Sequence, residues 1–293
     1  MRTIDLHMHS SASLDGEYEP EELLRLCKES NLEYVAVTDH NSVASVAKAI
    51  QAAKSYDIRC IPAIEIDCDF QGINIHLLGY GIDHESGVFE LLNEYCRDME
   101  KKASYERLKK IRELGFSISL EAFPHFETRG AIAPEDIGSV LLSRPEAKDS
   151  QILAPFLPGG KRSDNPYANF YWDLFDTGKP CHCPMRWPIL SAAIEMITST
   201  GGIPVIAHPG ITLKGSFELL DDILKSGVTG LEVFSSYHSR EVSLNLYEYA
   251  VAKGALITAG SDYHGYFKPS VVLGGYESFV EDQVIIDGIL EAI

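Results

Sequence analysis

Two histidine motifs stand at opposite ends of the chain, and each has an acidic residue two positions before a histidine. Near the start, Asp5, His7 and His9 follow one another in steps of two, and near the end Asp262 precedes His264. Because alternate residues of a strand point to the same side, each motif places carboxylate and imidazole groups on one face. Such groups are ligands for divalent transition metals. The spacing therefore predicts a metal centre assembled from distant parts of the chain.

Other apolar, strand-like runs also carry or precede a histidine or an acid, namely His40, Glu65, His76 and His208. A single His-x-His is more often a surface pair or a hydrogen-bonded core pair than a metal site. Its recurrence at the ends of several apolar runs favours metal binding. The sequence Cys181-His182-Cys183 raises the alternative of a zinc site, but no second ligand pair at zinc-finger spacing accompanies it.

The elements that must position these groups alternate between strand patterns and helix patterns. Amphipathic, helix-like segments cover residues 20–30, 42–56, 189–200, 217–226 and 243–253, and apolar runs separate them. This alternation is typical of βα units around a parallel sheet. The count of about seven strands predicts an α/β fold of the (β/α)7 barrel kind, in which functional residues gather at the C-terminal ends of the strands.

The alternation stops between roughly residues 88 and 188, where a long charged helix and then irregular sequence follow. We expect residues 1–100 and 189–293 to form the barrel and residues 101–188 to form an inserted, mainly helical subdomain that caps it. Within the insert, Arg129, Lys161 and Arg162 are candidate substrate-binding residues, because cationic side chains hold phosphate. The alternative is that they are ordinary solvated surface. The aromatic residues of segment 167–175 could stack on a base, or could pack the subdomain.

Composition narrows the range of partners. The chain has 25 basic and 43 acidic residues, a net charge of −18, which disfavours long nucleic acid as a partner. No apolar run is long enough to cross a membrane, and the N-terminus does not resemble a secretory signal, so we expect a cytoplasmic protein without a membrane partner. Six scattered cysteines are typical of reduced thiols. The oligomeric state stays open.

Taken in order, the motifs resemble those of the polymerase and histidinol phosphatase (PHP) superfamily: His7-x-His9, Thr38-Asp39-His40, Glu65, His76, Ala207-His208-Pro209-Gly210 and Ser261-Asp262-x-His264. The resemblance implies a distorted (β/α)7 barrel that holds up to three divalent metal ions. By position, it assigns His7, His9, Glu65 and Asp262 to one metal, Glu65, His76 and His208 to a second, and Asp15, His40 and His264 to a third.

The residue types suit this assignment. Imidazole and carboxylate ligands without thiolate favour Mn, Fe or Zn over Ca or Mg. Water bound to such ions has its pKa lowered from about 15.7 toward about 7, which makes hydroxide available to attack phosphorus. We therefore expect His7, His9, Glu65 and Asp262 to be catalytic through the metals. His238 is a further candidate for phosphate contact or for protonation of the leaving group, and the alternative for it is an exposed loop histidine.

The resemblance implies a phosphoesterase that hydrolyses a small nucleotide or sugar phosphate, as a monoester or a cyclic diester. Nucleoside 3′,5′-bisphosphates and phosphoribosyl cyclic phosphate are the leading substrate types. The stretch 163–172 departs from the usual insert of the bisphosphatases, which favours the cyclic diester. The alternatives are a histidinol-phosphatase-like monoesterase, a metal-binding module without catalysis, and an amidohydrolase. The last commonly uses a modified lysine where Glu65 stands here.

Overall fold

Eight strands in two sheets, together with eleven α-helices, form the part of the chain that the computed structural model describes, residues 2–293. Met1 of the predicted 1–100 segment lies outside it. The first sheet has the order β1-β2-β3 and the second the order β4-β5-β6-β7-β8. The strands are β1 Ile4–Met8, β2 Tyr34–Val37, β3 Arg59–Cys60, β4 Ala63–Phe70, β5 Ile73–Tyr80, β6 Ile203–Ile206, β7 Gly230–Ser235 and β8 Leu256–Gly260.

The expectation of parallel strands throughout is wrong at one place. Strand β5 runs antiparallel to both β4 and β6. The cause is the two-residue connection Gln71-Gly72, in which both residues have positive φ (56° and 84°), as in a type I′ hairpin. Two residues are too few for the crossover that a parallel pair requires.

The two sheets come together at two single bridges. One joins Met8 to Tyr263, and the other joins His40 to Glu65. The strands of residues 2–293 do not form one closed sheet, so the structure shows a mixed α/β fold rather than the predicted (β/α)7 barrel in full. Both bridges involve or adjoin predicted metal ligands, which means that the sheets meet where the chemistry was expected.

The helices largely follow the predicted segments. They are α1 Pro20–Glu29, α2 Val46–Tyr56, α3 Gly87–Glu113, α4 Phe126–Arg129, α5 Pro134–Leu142, α6 Pro166–Leu174, α7 Leu190–Ser199, α8 Pro209–Thr212, α9 Leu220–Lys225, α10 Arg240–Lys253 and α11 Asp282–Ala292, with 3-10 turns at Leu120–Ala122, Pro145–Asp149, Ala154–Phe156, Phe217–Leu219 and Gly265–Phe267. Helix α2 begins four residues later than its pattern, and the hydroxyl of its N-cap residue Ser45 donates a hydrogen bond to Asp39. Helix α10 begins earlier, because the Ser239 side chain accepts a hydrogen bond from the Val242 N–H. No helix within residues 2–293 is long and apolar enough to span a membrane.

Apolar side chains gather in separate clusters. The largest lies under both sheets, and a smaller one lies between α1, α2 and the first sheet. Another cluster consists of side chains between Leu108 and Cys181. Helix α3 contributes to two of them, since Phe89 packs in the largest cluster and Ile111 in the cluster of the insert. One rigid helix therefore connects the sheet region to the predicted insert.

Candidate metal centre

The structure brings the nine predicted metal ligands together at the edge where the two sheets meet. His7 lies in β1, Glu65 in β4 and His76 in β5, and the other six follow strand ends or lie in the loop before α1. Geometry alone defines four groups of side chains whose ligand atoms lie within 4.8 Å of one another: His7, His9, Glu65 and Asp262; Glu65, His76 and His208; His9, His40 and His264; His40, Asp67 and His76. The first two groups coincide with the predicted assignments.

The first group has the features of a cation site. The Nε2 atoms of His7 and His9 lie 3.3 and 3.2 Å from Glu65 Oε2, and 3.3 and 3.0 Å from Asp262 Oδ1. His7 Nε2, His9 Nε2 and Glu65 Oε2 are buried, yet they make no hydrogen bond within the described chain. Buried polar atoms in native proteins are nearly always paired, and leaving them unpaired is costly. The arrangement therefore fits divalent cations that these atoms would ligate.

The second group shares Glu65 with the first. Glu65 Oε1 lies 3.0 Å from His76 Nδ1 and 3.4 Å from His208 Nε2. The other ring nitrogen of His208 is held by the Thr212 hydroxyl at 2.8 Å. Since the two oxygens of Glu65 face different groups, this carboxylate is placed to bridge two ions.

The third group is looser than predicted. Asp15 Oδ2 lies 3.1 Å from His264 Nδ1 but 3.9 Å from His40 Nε2. The ligand atoms of His9 also group with those of this pair, and its ring centroid lies 4.0 Å from that of His264 and 4.5 Å from that of His40. Asp15 Oδ1 is also buried without a hydrogen-bond partner in the described residues, so it too is available to a cation.

Glu232, which the sequence analysis did not single out, orients two of the ligands. Its Oε1 lies 3.0 Å from His7 Nδ1, and its Oε2 accepts a 2.7 Å hydrogen bond from the His208 N–H. A carboxylate on Nδ1 leaves the Nε2 lone pair of His7 free to ligate. The signal that could have revealed Glu232 is a charged residue within the apolar run of β7, where it is fully buried.

Asp5 and Asp39 hold the loops that carry ligands. Asp5 accepts hydrogen bonds from the backbone N–H groups of Ser261 and Gly274, and Asp39 accepts them from the N–H and hydroxyl of Ser10. Asp5 thus fixes loops, whereas Asp39 also accepts a hydrogen bond from the Ser13 hydroxyl, which lies 3.1 Å from His9 Nδ1.

Lys268 and Tyr237 are further neighbours that local sequence signals did not indicate. Lys268 Nζ and the Tyr237 hydroxyl each donate a 2.6 Å hydrogen bond to Asp262 Oδ2, and they also contact each other. Burial would raise the pKa of Asp262, but Lys268 and the imidazoles of His264 and His7 hold it well below its usual range. Asp262 is therefore charged at neutral pH. Its backbone also has a φ of 56°, a costly conformation for a residue other than glycine.

Electrostatics divides the imidazoles into two sets. Burial opposes protonation of His7, but Glu232, Glu65 and Asp262 raise its pKa well above the usual value. Burial likewise opposes protonation of His76, yet Asp67 and Glu65 raise its pKa to about 9. Burial and neighbouring imidazoles lower the pKa of His9, and burial lowers that of His208. Without metal, protons on the first set balance the buried carboxylates.

His238 is buried with both ring nitrogens on backbone groups. Its Nδ1 lies 2.9 Å from the Val233 carbonyl, and its Nε2 accepts a 3.0 Å hydrogen bond from the Gly210 N–H. The alternative of an exposed loop histidine is therefore wrong. The arrangement also leaves neither nitrogen free for phosphate or a leaving group, so His238 fixes the loop after His208 instead.

The candidate substrate-binding cations occupy different places. The Arg129 guanidinium donates to the carbonyls of Ser13, at 2.9 Å, and Leu14, next to the ligand Asp15. Arg162 forms a bidentate ion pair with Asp173, with both N···O distances at 2.9 Å. Lys161 is exposed on the turn beside Arg162. The structure thus brings Arg129 to the loop of Asp15, whereas Arg162 is paired with Asp173 within the insert and Lys161 is exposed.

The aromatic residues of the insert have two roles. Phe170 is fully buried and packs in the core of the insert. Trp172 is half-buried and faces Tyr237 edge to face, with ring centroids 5.9 Å apart. Tyr237 in turn contacts His208 at 5.6 Å between centroids. Helix α6 therefore presents Trp172 toward Tyr237 and the metal centre.

Comparison with known proteins agrees with this geometry. Residues 5–131 match the family described as PHP domain. A phosphoribosyl 1,2-cyclic phosphate 1,2-diphosphodiesterase from Eggerthella lenta is 26% identical over 266 residues, covering 90% of this chain and 94% of the relative. A 3′,5′-nucleoside bisphosphate phosphatase from Chromobacterium violaceum is 27% identical over 268 residues, covering 90% and 88%. A 5′-3′ exoribonuclease from Haemophilus influenzae is 26% identical over 263 residues, covering 89% of each.

A solved structure from Bifidobacterium adolescentis, described as a metal-dependent phosphoesterase, superposes with a TM-score of 0.78 at 22% identity, covering 99% of this chain and 96% of the other. At that identity the likeness establishes the fold alone.

Proposed function

Because residues 5–131 match the PHP domain family, we propose that the chain is a metal-dependent hydrolase of small phosphate esters. One observation carries the proposal: imidazole nitrogens and carboxylate oxygens from six strand regions converge, and several of them are buried without hydrogen-bond partners in the described chain. Such unpaired groups are costly to the fold unless a cation ligates them, so they support a metal-dependent activity.

The ligand set suits Mn, Fe or Zn, with up to three ions held by His7, His9, Asp15, His40, Glu65, His76, His208, Asp262 and His264. Bound divalent ions would supply an acidic water and would neutralise phosphoryl oxygens. The chain's own groups do the rest. Glu232 and Thr212 hold imidazoles in the ligating tautomer, and Arg129 fixes the loop that carries Asp15.

Two cationic or hydrogen-bonding groups beside Asp262 are placed to receive substrate. Lys268 and Tyr237 lie on the side of Asp262 that faces helix α6. A phosphate oxygen there would find the Lys268 ammonium as a donor, whereas the Tyr237 hydroxyl already donates to Asp262. Trp172 lies next to Tyr237 for a sugar or base. We infer that the substrate enters between Trp172 and the metal centre.

The proposed substrates are a nucleoside bisphosphate or a phosphoribosyl cyclic phosphate. Two relatives are named for substrates of these kinds, while another is named as an exoribonuclease, so an oligonucleotide end is the second candidate. The net charge of −18 favours the small substrate. We propose that His238 positions the loop after His208 and that Lys161 and Arg162 do not bind the phosphate.

At the level of architecture, we propose that residues 1–100 and 189–293 form a distorted (β/α)7 barrel and that residues 101–188 cap it. The two bridges between the sheets and the separate apolar cluster of the insert support this division. The boundary near residue 101 lies inside α3, so the cap is an extension of a barrel helix.

Product formation from a panel of substrates tests the proposal. It is followed both as released phosphate and by chromatography of the organic products, because opening a cyclic diester or cleaving an RNA phosphodiester releases no inorganic phosphate. Metal-free protein would be supplied with Mn and assayed on a nucleoside 3′,5′-bisphosphate, a ribose cyclic phosphate, a short 5′-phosphorylated RNA and histidinol phosphate. We expect turnover with one of the first two, at least about 100-fold slower in Glu65→Gln. Asp69→Asn, on the same face of β4 but away from the centre, should match the wild type. Lack of turnover on all four substrates at full metal occupancy would refute the proposed function.

A further inference from the structure

A carboxylate outside the nine predicted ligands faces the metal centre. Asp67 lies two residues after Glu65 in β4, so both side chains point to the same face. In the antiparallel ladder, Asp67 lies directly opposite His76. Cross-strand partners on one face are close neighbours, and here Asp67 Oδ1 lies 3.2 Å from His76 Nε2.

The second oxygen of Asp67 approaches another imidazole. Asp67 Oδ2 lies 3.4 Å from His40 Nδ1, but this nitrogen has no hydrogen-bond partner in the described residues and its surface is inaccessible. Ligands at about 2.1 Å from one ion are separated by about 3.0 to 3.4 Å at octahedral or tetrahedral angles. The two separations at Asp67 are those expected between neighbouring ligands of one ion.

Neutral amide groups hold Asp67 in this position. Asn41 Nδ2 donates to Asp67 Oδ2 at 2.7 Å, and Asn74 Nδ2 donates to Oδ1 at 3.3 Å. The Asp67 N–H donates to Asn41 Oδ1 at 3.0 Å, which closes a ring of hydrogen bonds. These contacts fix the carboxylate without adding a positive charge, so its negative charge remains available to a cation.

We propose that His40, Asp67 and His76 form an additional divalent-cation position, with Asp67 as its carboxylate ligand. This inference rests on the proposed metal centre and adds a ligand to it. A neutral imidazole offers a single lone pair, so His40 cannot serve the Asp67 position through Nδ1 and the Asp15 position through Nε2 at the same time. The same holds for His76, which also faces Glu65 through Nδ1. The additional position therefore fills in exchange with its neighbours.

Diffraction from Mn-loaded crystals tests the proposal directly. Anomalous difference maps of the wild-type protein should show an Mn peak about 2.2 Å from an Asp67 oxygen and within ligand distance of His40 or His76. Asp67→Asn should lose that peak and retain those at Glu65. If peaks appear at Glu65 while Asp67 only accepts hydrogen bonds from ligated imidazoles, the additional position is refuted and the metal centre stands. If no Mn peak appears at any of these residues, the proposed metal centre fails as well.

Solution binding provides the second measurement. Metal-free protein would be titrated with Mn while free Mn is followed by its paramagnetic resonance signal. Asp67→Asn should weaken one class of sites by at least about tenfold. Asp69→Asn serves as the matched control, because Asp69 lies on the same face of β4 one step further from the histidines and pairs with Asn74. Identical isotherms for wild type and Asp67→Asn would count against the inference.

Discussion

At the scale of single residues, the ligands are only as effective as the groups that fix them. Glu232 illustrates this, because it bonds the ring of His7 and the backbone of His208 from within the apolar strand β7. A charge buried there is costly unless both of its oxygens are used. The two contacts account for its place in the core, and they connect the first and second ligand groups.

Replacing Glu232 with glutamine should therefore weaken metal binding without removing a ligand. The amide can no longer accept at both oxygens, so His7 loses its fixed tautomer or His208 loses its backbone partner. We expect an affinity for Mn about 10- to 100-fold lower, with a proportional loss of activity at limiting metal. The measurement is Mn titration of metal-free protein. The control variant Glu248→Gln, on the exposed face of α10, should bind Mn as the wild type does. If Glu232→Gln bound Mn as tightly as Glu248→Gln, Glu232 would have no role in orienting the ligands.

Arg129 supports a different prediction. Its guanidinium holds the carbonyls of Ser13 and Leu14, and methionine would keep the apolar stem but lose both bonds. Loss of charged hydrogen bonds of about 1.5 to 3 kcal/mol corresponds to a decrease of about 10- to 100-fold in kcat/KM. Steady-state kinetics of Arg129→Met would show it. Arg144→Met provides a matched control, since Arg144 bonds the Ser117 carbonyl on the exposed surface of the insert. Unchanged kinetics for Arg129→Met would contradict the prediction.

At the scale of elements, the ligand motifs could be predicted from the sequence, whereas the strand reversal and the contacts between loops could not, for different physical reasons. The His-x-His and Asp-x-His spacings were readable because strand periodicity alone puts alternate residues on one face. The alternation of patterns does not predict the reversal at β5, although the short Gln71-Gly72 connection is typical of a hairpin. Local sequence patterns could not predict the roles of Lys268 and Tyr237, because their contacts to Asp262 form only when the loops after β7 and β8 come together.

Close packing between β8 and β1 leads to a prediction about stability. A Cβ atom at Gly260 would lie 2.2 Å from the Cβ and 2.6 Å from the backbone nitrogen of His7. Backbone cannot move away as a flexible side chain can, so Gly260→Ala should cost about 3 kcal/mol or more. In thermal melts with EDTA, this corresponds to a Tm lower by roughly 6 °C or more.

Gly87→Ala is the control for that measurement. A Cβ there meets nothing within 4 Å, and Gly87 is the first residue of α3. Its Tm should equal or slightly exceed that of the wild type, because alanine favours helix. If the Tm of Gly260→Ala equalled that of the wild type, β8 and β1 would have to lie farther apart than the Gly260–His7 distances indicate.

At the scale of the whole molecule, many buried charges are concentrated where the two sheets meet. Asp15, Glu65 and Asp262 all have a pKa held well below the usual range despite burial, because imidazoles or Lys268 surround them. Asp67 is held low in the same way, by His76 and His40. In the metal-free protein, protonated imidazoles supply the balancing charge, whereas bound cations require those imidazoles to be neutral. Protons and metals therefore compete for the same site.

This competition predicts opposite responses to pH. His7, His40 and His76 have raised pKa values when folded, about 9 for His76, although burial opposes it. Their stabilisation of the metal-free fold is complete below about pH 6.5 and is lost as pH rises through the folded values. The Tm of EDTA-treated protein should thus decrease as the pH rises from 6.5 to 8.5, a range that approaches the His76 pKa of about 9 from below.

Metal-loaded protein should behave differently, because deprotonated imidazoles bind cations more tightly and tighter binding raises Tm. The difference in Tm between Mn-loaded and EDTA-treated samples should therefore widen from pH 6.5 to pH 8.5. Paired melts across this range measure it, and His76→Asn should reduce the slope in the metal-free series because one raised imidazole is gone. A constant difference would mean that metal binding displaces no protons, which is incompatible with a centre built from these histidines and carboxylates.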